Sequence, residues 1–401
     1  MTWTAHLRPL PGLLGGAALL LAGCVGERSP APSGQDTGPE VAAPDDVRAL
    51  LRLPDHFELP RIPEYNPISA EGIELGRRLF YDRRLSGNGT QSCADCHKQE
   101  LAFADGVATP EGSTGDRLTR NSPGLANVAW LGNLTWAHNG FTDLETQLEV
   151  PLVNDRPVEL GINDGNFEEV VGRLEADPVY ADLLPRVWPD SDSGFTLPKL
   201  TFALASFCRS LVSRESVYDR FYAGDRDALS ESAKRGMTLF NGERFECFHC
   251  HSGVQVSASY RDANTAEGSA VTAFFNTGLY NVDGEGSYPP HDQGLFELTL
   301  NPRHRGAFRP PSLRNVEYTA PYMHDGSIAS LRDVLATYMA GGRNLTEGPF
   351  AGDGRVSPLK SGLVRGFTAT EAEIDDVIAF LESMTDPVFL TNPAYSDPWV
   401  D

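Results

Sequence analysis

The chain of 401 residues contains few cysteines, a deficit of basic side chains and no apolar run long enough to cross a membrane as a helix. Six cysteines are too few for a disulfide scaffold of this size. The 33 Lys and Arg against 55 Asp and Glu give a formal net charge of −22, which argues against nucleic-acid binding and against electrostatic attachment to anionic lipid. A hydrophobic content of 40% still suffices for globular cores, and the length predicts two or three domains.

One apolar segment, residues 13–22, has the length of a signal-peptide core. It ends in Leu-Ala-Gly-Cys, which resembles the lipobox of bacterial lipoproteins, in which the cysteine is lipidated and becomes the mature N-terminus. We therefore predict a signal peptide over residues 1–23, a lipid anchor at Cys24 and a location in the bacterial periplasm. Val25 follows instead of an inner-membrane retention Asp, so the outer membrane is the expected site of anchoring. The alternative is an ordinary secretory signal with an incidental cysteine.

Two C-x-x-C-H motifs carry the chemistry. They are Cys93–Ala94–Asp95–Cys96–His97 and Cys247–Phe248–His249–Cys250–His251. The two thiols of such a motif add to the vinyl groups of a haem, and the histidine lies under the iron as its proximal ligand. A shared zinc site fits poorly because 154 residues separate the motifs, and a redox dithiol leaves the histidines unexplained. We therefore predict two covalent haem c groups, attached through Cys93, Cys96, Cys247 and Cys250.

The segments before the motifs indicate an internal duplication. Residues 76–80 and 236–240 share the pattern G-x-x-L-F, and Ser69 and Ser230 are placed to cap the helices that contain it. The predicted fold class is all-α, with two cytochrome c-like domains, each holding one covalent c-type haem, and with long ordered loops. The predicted boundaries are a tether and N-terminal extension over residues 24–65, a first haem domain over 66–228 and a second over 229–390. Within the extension, residues 26–45 read as flexible.

Two later segments predict helices with capping boxes, begun by Ser330 and Thr370. On the first of them Tyr338 shares the apolar stripe and is expected to face inward, whereas Met339 lies about 100° round the helix and faces away. Tyr338 is a candidate sixth ligand of the second haem, and the alternative is a core aromatic. For the first haem, the loop over residues 105–116 offers neither Met nor His, which favours an open iron face.

The residues taken together resemble the bacterial di-haem cytochrome c peroxidase and MauG family over residues 66–388. The motifs that carry the resemblance are Arg120–Asn121–Ser122–Pro123, Trp136, Glu159, the second C-x-x-C-H, Pro311–Ser312–Leu313–Arg314–Asn315 and the stretch 319–327. Several stretches are similar to one branch, the MbnH-like di-haem enzymes of methanobactin operons. They are residues 92–105, 134–137, 275–281 and 340–343.

The resemblance implies roles for individual residues. His97 would be the proximal ligand of a five-coordinate, peroxide-binding haem, and His251 and Tyr338 would be the axial ligands of the second haem. Trp136 would lie between the haems, the alternative being a packed aromatic. Glu159 would be the distal acid–base group that peroxide cleavage needs, the alternative being a surface carboxylate.

Some positions depart from the peroxidases of the family or carry a weaker signal. Those peroxidases have Met where this chain has Tyr338, and a distal His where it has Ser113. Asn121, Thr319 and Pro321 match positions that hold a calcium ion between the domains, largely through carbonyl oxygens. Cys208 has no expected partner and is predicted to be a buried thiol.

The function implied is that of a peroxide-dependent di-haem oxidase that forms a bis-Fe(IV)-like state and oxidises Trp on a partner protein of the MbnP type. One alternative is a di-haem peroxidase that reduces hydrogen peroxide with electrons from a small redox protein. Another is an electron carrier without catalytic activity, with both irons six-coordinate.

Overall fold

The computed structural model describes residues 43–191, 194–266 and 274–400. The predicted signal peptide, Cys24 and most of the tether lie outside these ranges. The helices within them are α1 (Pro44–Leu50), α2 (Ala70–Tyr81), α3 (Cys93–Cys96), α4 (Leu144–Gln147), α5 (Glu149–Val153), α6 (Phe167–Glu175), α7 (Pro178–Val187), α8 (Leu197–Ser210), α9 (Val217–Tyr222), α10 (Glu231–Phe240), α11 (Phe296–Thr299), α12 (Leu331–Met339), α13 (Glu371–Glu382) and α14 (Pro387–Thr391). In these three segments, no helix is long and apolar enough to span a bilayer.

Strands contribute little to the fold. The strands β1 (Phe275–Asn276) and β2 (Ala307–Phe308) pair antiparallel, as do β3 (Asn344–Leu345) and β4 (Gly352–Asp353). Single turns of 3-10 helix interrupt the loops at Arg83–Leu85, Gln99–Leu101, Val128–Trp130, Cys247–His249, Pro302–His304, Val316–Tyr318 and Gly354–Val356. The prediction of a helical protein with long ordered loops is confirmed.

The predicted caps form at the helix starts. The side chains of Ser69, Ser230 and Ser330 each accept a hydrogen bond from a main-chain N–H in the first turn of the helix that follows. Thr370 and Glu373 form a complete capping box. α1 begins at Pro44, so the tether predicted to extend to Asp45 ends slightly earlier, because proline and acidic residues favour a helix start.

The duplicated G-x-x-L-F segments build two equivalent helix pairs, in which α2 packs against α8 and α10 against α13. A Cβ atom at Gly76 would lie 1.9 Å from the carbonyl oxygen of Ala203, and one at Gly236 would lie 1.9 Å from that of Asp376. Glycine is therefore required at both positions, because the backbones of the two helices touch where they cross and leave no space for a Cβ atom. The shared glycine of the motif has the same structural cause in both halves.

Two larger clusters of buried apolar side chains follow from these pairs. The first contains Leu75, Leu79 and Phe207, and the second contains Phe240, Val377 and Phe380. The predicted boundary between the domains, near residue 228, stays a prediction. The chain returns to the first cluster at its C-terminus, where Phe389 and Tyr395 are buried.

Replacing either close-contact glycine by alanine is expected to destabilise the holo-protein by about 3 kcal/mol, because a methyl group would force the helix pair apart. Gly172 is the matched control, since it lies in α6 with no atom within 4 Å of its added Cβ. Gly172→Ala should be neutral or stabilising by roughly 1 kcal/mol. Urea unfolding of the three variants measures the difference, and equal stabilities would contradict the close crossing.

Candidate functional site

The first C-x-x-C-H motif forms one turn of α-helix, α3, followed by His97. The Nδ1 atom of His97 donates a hydrogen bond to the carbonyl oxygen of Phe103 at 2.6 Å. Burial lowers the pKa of His97, which keeps the imidazole neutral. Because Nδ1 carries the proton, Nε2 carries the lone pair that can bind iron, and the hydrogen bond from Nδ1 holds the orientation of the ring.

The second motif repeats this arrangement with a 3-10 turn over Cys247–His249 instead of an α-helical turn. The Nδ1 atom of His251 lies 3.3 Å from the carbonyl oxygen of Val256. Burial is the main cause that lowers the pKa of His251 to about 4. Both motifs thus present a neutral histidine whose Nδ1 atom contacts a main-chain carbonyl oxygen.

The thiols of the motifs are positioned for thioether formation. Cys93, Cys96, Cys247 and Cys250 are half-buried and free, and they lie next to the two histidines. Paired thiols followed by a neutral imidazole are the donor set of a covalent haem, so these residues fit the group. Cys208 is also free but is fully buried in α8, as predicted for a structural thiol.

Tyr338 and Met339 lie on different sides of α12. Tyr338 is half-buried, and its pKa is raised by burial first and then by the sulfur atoms of Cys250 and Cys247. Met339 packs against the second core cluster and lines the groove between α12 and α13 with Ile374. The phenol of Tyr338 therefore lies close to the thiols of the second motif, and Met339 lies on the side of α12 that faces α13.

Glu159 lies on the side of the first motif, beside the loop that contains Ser113. Its carbonyl oxygen accepts a hydrogen bond from the main-chain N–H of Ser113 at 2.7 Å. Among the causes that raise the pKa of Cys96 to about 12, burial is the largest and the charge of Glu159 contributes. The carboxyl group is half-buried, and burial raises its pKa to about 7. A carboxyl group that titrates near neutral pH can both take and return a proton.

The raised pKa of Glu159 predicts a pH profile. If Glu159 takes the first proton from peroxide, the reaction rate should rise with pH, level off above about pH 7 and be roughly 100-fold lower at pH 5, because two pKa units leave about 1% of the base ionised. Stopped-flow absorption across this range measures the profile. A rate independent of pH between 5 and 8 would contradict a role for Glu159 as the base.

Trp136 is held between segments from both halves of the chain. Its Nε1 atom donates to the carbonyl oxygen of Asn121 at 2.7 Å, and its own carbonyl oxygen accepts from the main-chain N–H of Arg309 at 2.8 Å. The guanidinium of Arg309 lies 5.7 Å from the centre of the indole ring. Trp136 is 9% exposed and packs in a cluster with Leu279 and Tyr288.

One hydrogen bond joins the two segments that contain the residues predicted to hold calcium. The main-chain N–H of Asn121 donates to the carbonyl oxygen of His324 at 2.7 Å, which holds it against the loop that contains Thr319 and Pro321. The amide of Asn121 donates to the carbonyl oxygen of Val107 at 2.9 Å. The side-chain nitrogen is therefore used within the loop, and the oxygen atoms that could bind a cation are the side-chain oxygen of Asn121 and main-chain carbonyl oxygens.

Several known proteins are similar to this chain over most of its length. A family model described as di-haem cytochrome c peroxidase matches residues 70–227. The chain is 32% identical to the methylamine utilization protein MauG of Methylorubrum extorquens over 96% of this chain and 98% of that protein. It is 35% identical to the cytochrome-c peroxidase IdrP1 of a Pseudomonas species over 83% of this chain and 86% of that protein.

The chain belongs to the di-haem cytochrome c peroxidase and MauG family. A solved structure of a MauG-like protein associated with microbial copper homeostasis is 44% identical, with a TM-score of 0.84, and covers 87% of this chain and 99% of its own. Membership makes the protein a di-haem oxidoreductase and implies two c-type haems. It leaves open which of the roles given above each residue performs.

Two further contacts of this family member had no sequence signal. The amide of Gln91 lies 3.4 Å from the sulfur of Cys96 and also donates to the carbonyl oxygen of Glu111. His324, to which the sequence assigned no role, stacks on Phe308 with ring centres 3.6 Å apart. Polar residues in irregular loops have no periodicity, so only their positions in space show these contacts.

Proposed function

We propose that this protein is a peroxide-dependent di-haem oxidase that removes electrons from a Trp of a partner protein. The observation that carries the proposal is the position of the Tyr338 phenol beside Cys247 and Cys250 of the second C-x-x-C-H motif, on the other side of α12 from Met339. A phenol oxygen is a hard donor that favours oxidised iron, whereas a thioether sulfur raises the reduction potential. A tyrosine ligand therefore suits an enzyme that stores oxidising equivalents.

Each of the candidate site residues then has a defined role. Two bound haems supply peroxide reduction and the storage of two oxidising equivalents. His97 and His251 hold the irons, and Glu159 moves the protons that peroxide must lose and its departing oxygen must gain. Trp136 lies on the route for electrons between the halves, because it contacts Asn121 on one side and Arg309 on the other.

One relative bears on the cellular setting in which this protein would act. The solved structure with 44% identity is that of a MauG-like protein associated with microbial copper homeostasis. We infer by analogy that this chain serves a similar setting, with an MbnP-like protein as the donor of the oxidised Trp. Such a partner would bind at the surface of the protein, and its electrons would reach the haems by long-range transfer.

A second candidate is a peroxidase that takes electrons from a small redox protein. It is favoured by the relatives named cytochrome-c peroxidase, of which the Pseudomonas protein IdrP1 is one. Its electrons would enter at the second haem, where a methionine ligand would serve better than a tyrosine. An electron carrier without catalytic activity would need a sixth ligand at both irons.

One experiment separates these candidates. One equivalent of hydrogen peroxide is added to the fully ferric holo-protein without any electron donor, and absorption spectra are recorded. The oxidase should change the absorption of both haems at once, because the second haem itself supplies an electron. A response only after prior reduction by one electron would favour the peroxidase, and no response in either state would favour the carrier.

We also propose a calcium ion at Asn121, Thr319 and Pro321, held largely through carbonyl oxygens, which suit calcium as ligands. Since Asn121 accepts the hydrogen bond from Trp136, the ion would stiffen the support of the indole. Metal analysis of the purified holo-protein should find one calcium per chain. Removing it with a chelator should weaken the spectral response of the second haem to peroxide, and a calcium-free protein with a full response would contradict the proposal.

Anchoring through Cys24 in the periplasm is a further proposal, supported by the lipobox-like sequence that ends at this residue. Mass spectrometry of the mature N-terminal peptide should find Cys24 as its first residue, carrying acyl chains. A mature chain that begins at another residue, or an unmodified Cys24, would contradict a lipid anchor at this position.

A further inference from the structure

Arg309 is a buried cation without an ion pair. Arg309 is 2% exposed, and its guanidinium donates to two main-chain carbonyl oxygens, that of Thr135 at 3.2 Å from Nε and that of Pro310 at 3.4 Å from Nη1. No carboxylate in the described parts of the chain lies within ion-pair distance of it. Burial lowers the pKa of Arg309 to about 10.

Two other buried arginines of this protein, Arg209 and Arg314, have acidic partners. Arg209 lies 2.9 Å from a carboxylate oxygen of Glu145, and Arg314 lies 2.7 Å from one of Asp219. Burying an ion without a partner costs several kcal/mol, and a guanidinium has five N–H donors to satisfy. An anion that pairs with Arg309 must therefore come from outside the described parts of the protein chain.

The location of Arg309 limits what this anion can be. The guanidinium lies 5.7 Å from the centre of the Trp136 ring, and the next residue but one, Pro311, has a main-chain oxygen that faces the imidazole of His251. Burial is the largest cause that lowers the pKa of His251, and the charge of Arg309 adds to it. Arg309 thus lies close both to Trp136 and to the second C-x-x-C-H motif, and an anion that pairs with it would lie there too.

We propose that Arg309 is the counter-ion of a propionate of the second haem, and that this ion pair sets the charge over the face of Trp136. A haem propionate is a carboxylate that arrives with the cofactor, and a guanidinium binds a carboxylate through two parallel hydrogen bonds. The inference rests on the two haems that family membership implies. It does not depend on which protein the enzyme oxidises.

The pair has a consequence for electron transfer. A lone cation over the indole would oppose the loss of an electron from Trp136, whereas a neutralised cation would not. Arg309 touches neither peroxide nor the partner protein, so it is a positioning residue. It links the edge of the second haem to the aromatic ring on the electron route.

The test is a potentiometric titration of holo-protein carrying Arg309→Gln, Arg309→Lys or the control Arg209→Gln. Loss of a positive charge beside the second haem stabilises ferric iron, so its reduction potential should fall in Arg309→Gln and change little in Arg309→Lys. Arg209→Gln removes a buried cation whose partner is Glu145, so it should lower stability without shifting this potential.

Two results would overturn the proposal. Unchanged potentials in Arg309→Gln would show that no propionate pairs with Arg309, and a shift confined to the first haem would assign the propionate to that haem instead. If Arg309→Gln does not fold with both haems, resonance Raman spectra of the wild type and Arg309→Lys decide. The propionate bending band of the second haem should move when the guanidinium becomes an ammonium group, and an unmoved band would refute the pair.

Discussion

Glu159→Gln is expected to slow the reaction of the ferric holo-protein with hydrogen peroxide by roughly a hundredfold or more, within the range for loss of general acid–base catalysis. The amide keeps the size of the carboxyl group but can neither take a proton from peroxide nor return one to the departing oxygen. Burial holds the pKa of Glu159 at about 7, so the native group does both at neutral pH.

The measurement is the second-order rate constant for the change in haem absorption after mixing with peroxide. Glu111→Gln is the matched control, because Glu111 lies on the neighbouring loop, is exposed and pairs with Arg117. This control should react at the rate of the wild type. Equal rates in Glu159→Gln and Glu111→Gln would remove Glu159 from the mechanism.

Tyr338→Phe is expected to abolish oxidation of the partner Trp while peroxide still reacts at the first haem. The phenyl ring fills the same space, so both haems should remain attached. Loss of the phenol oxygen removes the hard donor that stabilises oxidised iron. The second haem can then no longer hold the second oxidising equivalent, which is lost before a partner protein can be oxidised.

Mass spectrometry of an MbnP-like partner after treatment with peroxide measures this loss. Met339→Leu is the matched control, since Met339 is the next residue and packs against the second core cluster. It should oxidise the partner nearly as well as the wild type. Full partner oxidation by Tyr338→Phe would contradict the oxidase proposal.

Patterns of short range were sufficient to predict much of the fold. The G-x-x-L-F segments predicted α2 and α10 because apolar spacing and a serine cap act within one helix. The sequence also showed that the motif was duplicated, but the need for its glycine depends on the carbonyl oxygens of Ala203 and Asp376, which lie far along the chain. Contacts of that kind require the structure.

The candidate site divides in the same way. The helical phase alone placed Tyr338 and Met339 on different sides of one short helix, with Tyr338 inward, because successive residues lie about 100° apart. In the structure burial raises the pKa of Tyr338, and the phenol lies close enough to Cys250 and Cys247 for their charges to raise it further. Met339, which was expected to face away, packs beside α13, a contact that the phase could not predict. Arg309 gave no sequence signal, since an arginine in a loop is ordinarily exposed, and its burial depends on how the segment around Trp136 packs.

The electron paramagnetic resonance spectrum of the ferric holo-protein tests the central claim, ligation of the second haem by Tyr338, most directly. The account predicts one high-spin and one low-spin haem in the wild type. The low-spin signal should change in Tyr338→Phe and persist in Met339→Leu. Two low-spin haems in the wild type would contradict the claim and identify the protein as an electron carrier. A low-spin signal that changes in Met339→Leu and not in Tyr338→Phe would also contradict it and identify sulfur as the ligand.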